Sequence, residues 1–275
     1  MRQPYYSDNL ATLFAGDCRE VLRELPAESV QCVVTSPPYD HLRTYGGFEW
    51  DFEDTAHQLY RILVPGGVVC WNVMDGTVDG SETLTSCKQK VFFHEQCGFR
   101  IHDTMIYEKG NFSHPDRTRY HQLFEYVFIL SKGAPKTFNP ICDKPNAYPG
   151  TGTYGVNTAR QPDGSMKLRR RNVISEFGKR GNVWRGKTAG QENICSNLPH
   201  PAMMPLWLAG DLIRSWTNEG DTVLDPFSGS GTTILRAKEL GRRGIGIELN
   251  ADYCEITARR LGGQMVLEDT APPTK

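Results

Sequence analysis

The chain has 275 residues, 39% hydrophobic and 23% charged, which is typical of one large folded domain or of a domain with one big insertion. Its net charge of −1 gives no overall indication of a nucleic-acid partner, so any such signal must be local. No stretch approaches the roughly 20 consecutive apolar residues of a membrane span, and the first residues lack the apolar region of a secretory signal. We therefore expect a cytoplasmic protein with no membrane partner.

Hydrophobic periodicity predicts strands that alternate with helices on both sides of an irregular middle segment. The predicted elements are, in chain order, a strand at 13–17, a helix at 19–25, a strand at 30–34, a helix at 54–63, a strand at 68–73, a helix at 81–98, strands near 100–108 and 124–131, a helix at 203–216, a strand at 221–225, a helix ending at 240 and a strand at 243–248. This alternation predicts an α/β fold with a doubly wound, mostly parallel sheet.

Residues 134–198 form the irregular middle segment, which is rich in Gly, Pro, Asn and Tyr. Between residues 160 and 187 it carries nine basic side chains against two acidic ones, with Phe177 and Trp184 interleaved. Basic and aromatic side chains together favour contact with a nucleic acid, and a solvated loop is the alternative. The candidate DNA-binding residues are Arg169, Arg170, Arg171, Lys179, Arg180 and Arg185.

The cysteine pattern indicates thiols rather than disulfides or a metal site. The eight cysteines are scattered, with no Cys-x-x-Cys pair and no cluster at the spacing of zinc ligands. We therefore expect free and mostly buried thiols in a reducing compartment, and no bound metal.

A glycine-rich turn follows the strand at 221–225. Gly229 and Gly231 allow close approach of the backbone, and the helix that follows offers free N–H groups at its start. Glu248 ends the next strand, where an acidic side chain can bind ribose hydroxyls. A purely structural loop is the alternative interpretation of this turn when it is taken alone.

A second turn, Thr35-Ser36-Pro37-Pro38-Tyr39, follows the strand at 30–34. The two prolines fix φ and remove two backbone donors, which leaves a rigid turn with carbonyl acceptors, a hydroxyl and a planar aromatic ring. A group that donates two N–H bonds and stacks, such as the exocyclic amine of a base, would fit this turn. The alternative is a rigid turn with Tyr39 packed in the core.

The order of the two turns resembles that of the β group of S-adenosylmethionine-dependent DNA amino-methyltransferases. In that family a [SDN]-P-P-[YF] motif precedes the cofactor loop, and a recognition region lies between them. Here Ser36-Pro37-Pro38-Tyr39 comes first, and Asp225-Pro226-Phe227-Ser228-Gly229-Ser230-Gly231 comes last. Further similar pieces are Gly16-Asp17-Cys18, Leu63-Val64-Pro65-Gly66-Gly67 and His200-Pro201-Ala202-Met203-Met204-Pro205.

The resemblance implies the seven-stranded type of methyltransferase sheet and a division of the chain into three parts. These are a catalytic half at 1–133, a target-recognition insertion at 134–198 and a cofactor-binding half at 199–275. It assigns the target base to Ser36, Pro37, Pro38 and Tyr39. It assigns S-adenosylmethionine to Asp17, His200, Pro201, Ala202, Asp225, Pro226, Phe227, Gly229, Gly231, Thr232 and Glu248.

The implied reaction moves a methyl group from S-adenosylmethionine to an exocyclic amine of double-stranded DNA, after the base has flipped out of the stack. Ser at the first motif position favours N4-cytosine, and N6-adenine is the alternative. Cytosine-C5 methylation is disfavoured because it needs a thiolate, typically in a Pro-Cys turn, and the chain has no Pro-Cys pair. A catalytically idle DNA-binding module is a more distant alternative. The resemblance leaves open a homodimer and a cognate restriction endonuclease as further partners.

Overall fold

The computed structural model describes residues 2–38, 51–110, 118–151, 158–168, 173–192 and 203–263. Its strands are β1 (Tyr6–Ser7), β2 (Ala11–Ala15), β3 (Val30–Thr35), β4 (Leu63–Val73), β5 (Thr77–Val78), β6 (Ser81–Glu82), β7 (Arg100–Lys109), β8 (Phe124–Ser131), β9 (Lys144–Pro145), β10 (Thr158–Arg160), β11 (Met166–Leu168), β12 (Phe177–Gly178), β13 (Val183–Gly186), β14 (Thr222–Asp225) and β15 (Arg243–Glu248). Its α-helices are α1 (Cys18–Glu24), α2 (Phe52–Ile62), α3 (Thr85–Glu95), α4 (Leu206–Trp216), α5 (Thr232–Glu239) and α6 (Ala251–Leu261).

Most predicted elements are found within a few residues of their expected ends. The helix expected at 81–98 is shorter, because Asp79 and Gly80 adopt positive φ in a tight turn between β5 and β6. Helix α6 and strand β13 were not predicted, nor were the short strands β1, β5, β6, β9, β10, β11 and β12. Helix α6 begins after Asn250, whose side chain accepts the N–H groups of Asp252 and Tyr253 at 2.8 and 3.3 Å and so caps the helix.

The main sheet has the strand order β1-β2-β15-β14-β3-β4-β8-β7-β13 among the described residues. All neighbouring pairs from β2 to β4 are parallel, and β13 is parallel to β7, whereas β1 and β8 run antiparallel to their neighbours. This arrangement confirms the predicted α/β class with a mostly parallel sheet. It also brings β3 and β14 side by side, although they come from opposite ends of the sequence.

The sheet is covered on both faces, as a doubly wound fold requires. Ile245 and Ile247 of β15 pack against the core formed with α1, α2 and α3. The alternate residue Gly246 faces α5 instead, where a β-carbon would lie 2.9 Å from Cδ1 of Ile234. Alternation along one strand thus separates two helical layers.

An aromatic cluster forms the centre of the first layer. Phe93 of α3 is fully buried, and its ring lies 5.1 Å from the rings of Phe52 and Trp71 and 5.5 Å from that of Phe99. These ring pairs are tilted or edge-to-face, which is the favoured geometry of aromatic contacts. The cluster fixes α2 and α3 beside the strand that neighbours β3.

A second, smaller compact unit comprises Pro140–Gly181, and the rest of the chain forms the larger one. The smaller unit contains two short antiparallel ladders, β9 with β12 and β10 with β11. It lies within the segment 134–198 expected as an insertion, while β13 joins the main sheet of the larger unit. No helix among the described residues has the length and apolar content to cross a lipid bilayer.

We predict that Phe93→Ala lowers the free energy of unfolding by about 3–5 kcal/mol, because it leaves a cavity among three aromatic rings. Val91→Ala is the matched control, since Val91 lies on the same helix with 52% of its surface exposed. The control should change stability by less than about 0.5 kcal/mol. Urea denaturation measures both values, and equal effects of the two substitutions would contradict the proposed core.

Candidate active site

Four parallel strands end side by side at one edge of the main sheet. Glu248 of β15 is in register with Ala15 of β2, and Asp225 of β14 is in register with Gly246 of β15. Strand β3 lies on the other side of β14 and ends at Thr35. Ligands of open α/β sheets bind at this carboxyl edge, so the two turns singled out in the sequence share the expected location.

The carboxylate of Asp225 connects these strand ends. Its Oδ1 accepts hydrogen bonds from Oγ1 of Thr35 at 2.6 Å and from the N–H of Phe227 at 3.1 Å. Burial raises the pKa of Asp225 to about 6, although hydrogen bonds from Thr35, Thr233 and the Phe227 N–H oppose this rise. A buried acid with this pKa can exist in either charge state near neutral pH.

The turn after β14 depends on glycine at two positions. Gly229 and Gly231 have φ of +52° and +79°, a region that residues with a β-carbon rarely adopt. A β-carbon on Gly231 would also lie 2.5 Å from Cγ2 of Thr257 in α6. Both conformation and packing therefore require glycine at 231.

Helix α5 begins at Thr232, directly after this turn, and no side chain caps its N-terminus. An uncapped start leaves backbone N–H groups free of a side-chain acceptor, and the helix dipole favours negative charge there. This end of α5 faces the pocket described below, which Thr232 helps to line. The site can therefore accept a ligand carboxylate.

Glu248 lies at the end of β15 and holds the turn from the other side. Its Oε2 accepts the Gly229 N–H at 2.7 Å, and its Oε1 accepts the Asn250 N–H at 2.8 Å. Burial is the main cause that raises its pKa, the two N–H donors lower it, and the negative charge of Asp225 raises it further. Each carboxylate oxygen retains lone pairs that can accept a hydroxyl proton.

Helix α6 supplies two supporting contacts that the sequence interpretation missed. Thr257 donates a hydrogen bond to the carbonyl of Gly229 at 3.0 Å, and the buried Arg260 donates to the carbonyl and, at 3.1 Å, to the hydroxyl of Ser230. The capping Asn250 and the apolar spacing after it could have revealed the helix. They could not have revealed which loop its residues bind.

A pocket of about 320 Å³, its open mouth included, lies at this edge. Ser228 of its wall is buried, and its Oγ has no hydrogen-bond partner among the described residues. The pocket is lined by Ser36, Met203, Met204, Asp225, Phe227, Ser228, Gly229, Ser230, Thr232 and Thr233.

The structure brings Ser36 into the same pocket as four of the residues predicted to bind the cofactor, namely Asp225, Phe227, Gly229 and Thr232. Pro37 and Pro226 are buried beside it, and Pro38 is half-buried. The remaining predictions at this site, Tyr39, His200, Pro201 and Ala202, lie outside the described residues.

Asp17 has a clear structural role near this edge. Its side chain caps α1 by accepting the Arg19 N–H at 2.8 Å, and it also pairs with the Arg19 guanidinium at 2.6 Å. The Arg19 side chain is the main reason that the pKa of Asp17 is lowered. Its predicted contact with adenine stays a prediction.

The predicted DNA-binding residues fall into three groups. Residues 169–171 lie outside the described part of the chain. Lys179 and Arg180 belong to the smaller unit, where Arg180 pairs with Asp143, whereas Arg185 lies in β13 and pairs with Glu108 at 2.6 Å. Ion pairs therefore offset part of the positive charge counted from the sequence.

Comparison with known proteins identifies the family. Residues 30–259 match the family of N6 and N4 methyltransferases described as DNA methylase. The chain belongs to this family. It is 46% identical to the orphan methyltransferase M.BamHII of Bacillus amyloliquefaciens, over 92% of each chain.

DNA methyltransferases are among the solved structures that resemble this one. The PvuII DNA methyltransferase, described as cytosine-N4-specific, matches with a TM-score of 0.68 and 19% identity. The match covers 98% of this chain and 91% of that one, and it shows that the two share a fold. A DNA modification methylase of Thermus thermophilus, TTHA0409, in complex with S-adenosyl-L-methionine, matches with a TM-score of 0.58 and 25% identity, covering 91% and 96% of the two chains.

Family membership confirms the expected enzyme class, an S-adenosylmethionine-dependent DNA amino-methyltransferase. The buried carboxylate of Asp225 lines the pocket and suits a ligand with cationic groups, and the uncapped start of α5 suits a ligand carboxylate. Glu248 is half-buried and does not line the pocket, but it contacts the pocket residue Gly229. Among the described residues, no three His, Cys, Asp or Glu side chains gather as metal ligands would.

We predict that Gly231→Ala abolishes cofactor binding, because its β-carbon would displace Thr257 and distort the turn. Gly220→Ala is the matched control, since Gly220 has a similar φ of +82° but no atom within 4 Å of a built β-carbon. Both variants should lose about 1–2 kcal/mol of stability from backbone strain. Calorimetry should show normal cofactor affinity in the control only, and equal affinity in both variants would contradict the role of Gly231.

A second prediction concerns pH. Because the folded-state pKa of Asp225 is about 6, above its ordinary value of 3.8, the folded state binds this proton more tightly than the unfolded state does. The stability that this proton adds to the folded state is fully present below pH 3.8 and is lost as pH rises through 6. The free energy of unfolding falls by about 3 kcal/mol over this range. Asp225→Asn cannot ionise, so its stability relative to the parent protein should rise by about this amount between about pH 4 and 7. A difference that does not change with pH would contradict the assignment.

Proposed function

We propose that this enzyme methylates the N4 amine of cytosine at a specific site in double-stranded DNA, by base flipping and direct transfer. The observation that carries the proposal is that Ser36 of the Ser-Pro-Pro turn lines the same pocket as the glycine-rich turn after β14. A base held at Ser36 would therefore face a methyl donor held by the turn. Double-stranded DNA is the proposed partner, and a homodimer and a restriction endonuclease stay predictions.

The glycine-rich turn and Glu248 hold the methyl donor in this proposal. S-adenosylmethionine, when bound, supplies a methyl group on a sulfonium. This methyl group needs no further activation, because the neutral thioether is a good leaving group. Gly229 and the start of α5 accommodate its methionine part, and Glu248 accepts its ribose hydroxyls. The ionised Asp225 adds negative charge beside a cationic ligand.

The Ser-Pro-Pro turn prepares the amine. The nitrogen lone pair of cytosine N4 is delocalised into the ring, so the amine is a poor nucleophile. Ser36 and the carbonyl of Pro37 each accept one N–H bond, which favours a tetrahedral nitrogen with its lone pair directed at the methyl group. The amine nitrogen would then bond to the methyl carbon as the carbon–sulfur bond breaks, which leaves a neutral thioether, and the methylated amine would lose one proton to solvent. Such a transfer needs positioning and electrostatic stabilisation rather than a covalent intermediate.

The choice of cytosine depends on Ser36, because Ser at this motif position is associated with N4-cytosine in the family. The same two acceptors would also hold the N6 amine of adenine, which is the second candidate target. The base must leave the duplex to reach a pocket at the sheet edge, and Tyr39 is proposed to stack on the flipped base. The basic segment, with Arg169, Arg170 and Arg171, is proposed to contact phosphates.

Mass spectrometry of the nucleosides from DNA incubated with the enzyme and S-adenosylmethionine tests this proposal. N4-methylcytosine is the expected product. N6-methyladenine would move the proposal to the second candidate, and 5-methylcytosine or no product would overturn it. Sequencing of the methylated DNA would then identify the recognised site.

We predict that Ser36→Ala lowers kcat about tenfold, which corresponds to one lost hydrogen bond of about 1.5 kcal/mol. The cofactor affinity of this variant should stay within about threefold, since the turn keeps its shape. Ser81→Ala, in the exposed hairpin of β5 and β6, is the control and should behave as the parent protein does. Normal turnover of Ser36→Ala would mean that the Ser-Pro-Pro turn is only structural.

A further inference from the structure

Thr35 is the last residue of β3 and directly precedes Ser36, yet the proposed function gives it no role. Its side chain is fully buried, and its Oγ1 donates the 2.6 Å hydrogen bond to Asp225 Oδ1. The two residues are 190 positions apart in the chain. This hydrogen bond thus joins the base-binding turn to the cofactor turn.

We propose that Thr35 is a positioning residue that fixes the Ser-Pro-Pro turn against the cofactor turn and stabilises the Asp225 carboxylate for a cationic methyl donor. The inference rests on the proposed function, because it assumes that the pocket binds S-adenosylmethionine. According to this proposal, the Thr35 hydroxyl affects the ionisation of Asp225 as well as the position of the Ser-Pro-Pro turn.

The surroundings of Asp225 explain why one hydroxyl has such an effect. The groups that face its carboxylate among the described residues are the hydroxyls of Thr35 and Thr233, the N–H of Phe227 and, from β15, the carboxylate of Glu248. None of these groups is a cation. The negative charge is therefore stabilised by hydrogen bonds alone, and the Thr35 bond is short, as expected for a donor to an ionised acceptor.

Loss of this donor has a predictable direction. Without the Thr35 hydroxyl, the charged form of Asp225 loses a stabilising bond, so its pKa, already raised to about 6 by burial, should rise further. At neutral pH a larger fraction of Asp225 would then be neutral. A neutral acid attracts the sulfonium of S-adenosylmethionine less than a carboxylate does, whereas S-adenosylhomocysteine has no sulfonium charge and should be affected less.

The experiment measures the affinities of both compounds by calorimetry between about pH 5.5 and 8.5, which brackets the expected ionisation. Thr35→Val has a similar shape without the hydroxyl, and Thr35→Ser keeps the hydroxyl. Thr55→Val is the control for removal of a buried threonine hydroxyl away from the pocket, since Thr55 is fully buried in α2 and donates to the carbonyl of Asp51. Thermal unfolding of each variant confirms that it is folded.

We expect the affinity of the parent protein for S-adenosylmethionine to fall as pH drops through about 6. In Thr35→Val the midpoint should move up by about one pH unit, equivalent to about tenfold in the ionisation constant. Its affinity for S-adenosylhomocysteine should change by less than about threefold at neutral pH. Thr35→Ser and Thr55→Val should keep the midpoint of the parent protein.

Three results would overturn the inference. These are an unchanged midpoint in Thr35→Val, an equal loss of affinity for both compounds at every pH, and a Thr35→Ser profile that matches that of Thr35→Val. Should Thr35→Val not fold, Asp225→Asn supplies the test, because the pH midpoint should vanish in that variant and its persistence would overturn the inference. A parent protein that binds neither compound at any pH would overturn the proposed function itself, which separates the two failures.

Discussion

The adjacency of β3 and β14 is the constraint on which the site depends. The strands come from opposite ends of the chain, and their parallel pairing places the Ser-Pro-Pro turn and the glycine-rich turn at one edge of the sheet. In the proposed function neither turn forms a site alone, because the Ser-Pro-Pro turn supplies the acceptors for an amine and the glycine-rich turn supplies the surroundings for a methyl donor. The Thr35–Asp225 hydrogen bond links them at the point where the main-chain ladder between the strands ends.

Two neighbouring carboxylates at the candidate site lower the stability of the protein unless a positive charge lies beside them. The carboxylates of the buried Asp225 and the half-buried Glu248 lie close enough for the charge of Asp225 to raise the pKa of Glu248. Backbone N–H groups and hydroxyls offset part of that cost, and α6 holds the turn through Thr257 and Arg260. A ligand with positive charge would relieve the remaining repulsion, so the electrostatics favour the same class of cofactor as the family does.

Much of this architecture could be predicted from the sequence, because it depends on local signals. The fold class follows from alternating strands and helices, and both turns are marked by residues with special backbone properties, such as Pro37 and Gly231. What could not be predicted depends on tertiary contacts. The partner of Asp225 lies 190 residues away, Arg260 resembles a surface residue until its loop partner is known, and β13 is a four-residue strand without alternation that depends on the edge of β7.

A crystal structure of the protein with S-adenosylhomocysteine tests the central claim, that the two turns form one site, most directly. We predict that the ligand occupies the pocket between Ser36 and Gly229, with its ribose hydroxyls on Glu248 and its sulfur on the side of Ser36. The Thr35–Asp225 hydrogen bond should persist in the complex. A ligand bound elsewhere on the molecule, or one whose sulfur faces away from the Ser-Pro-Pro turn, would contradict the claim.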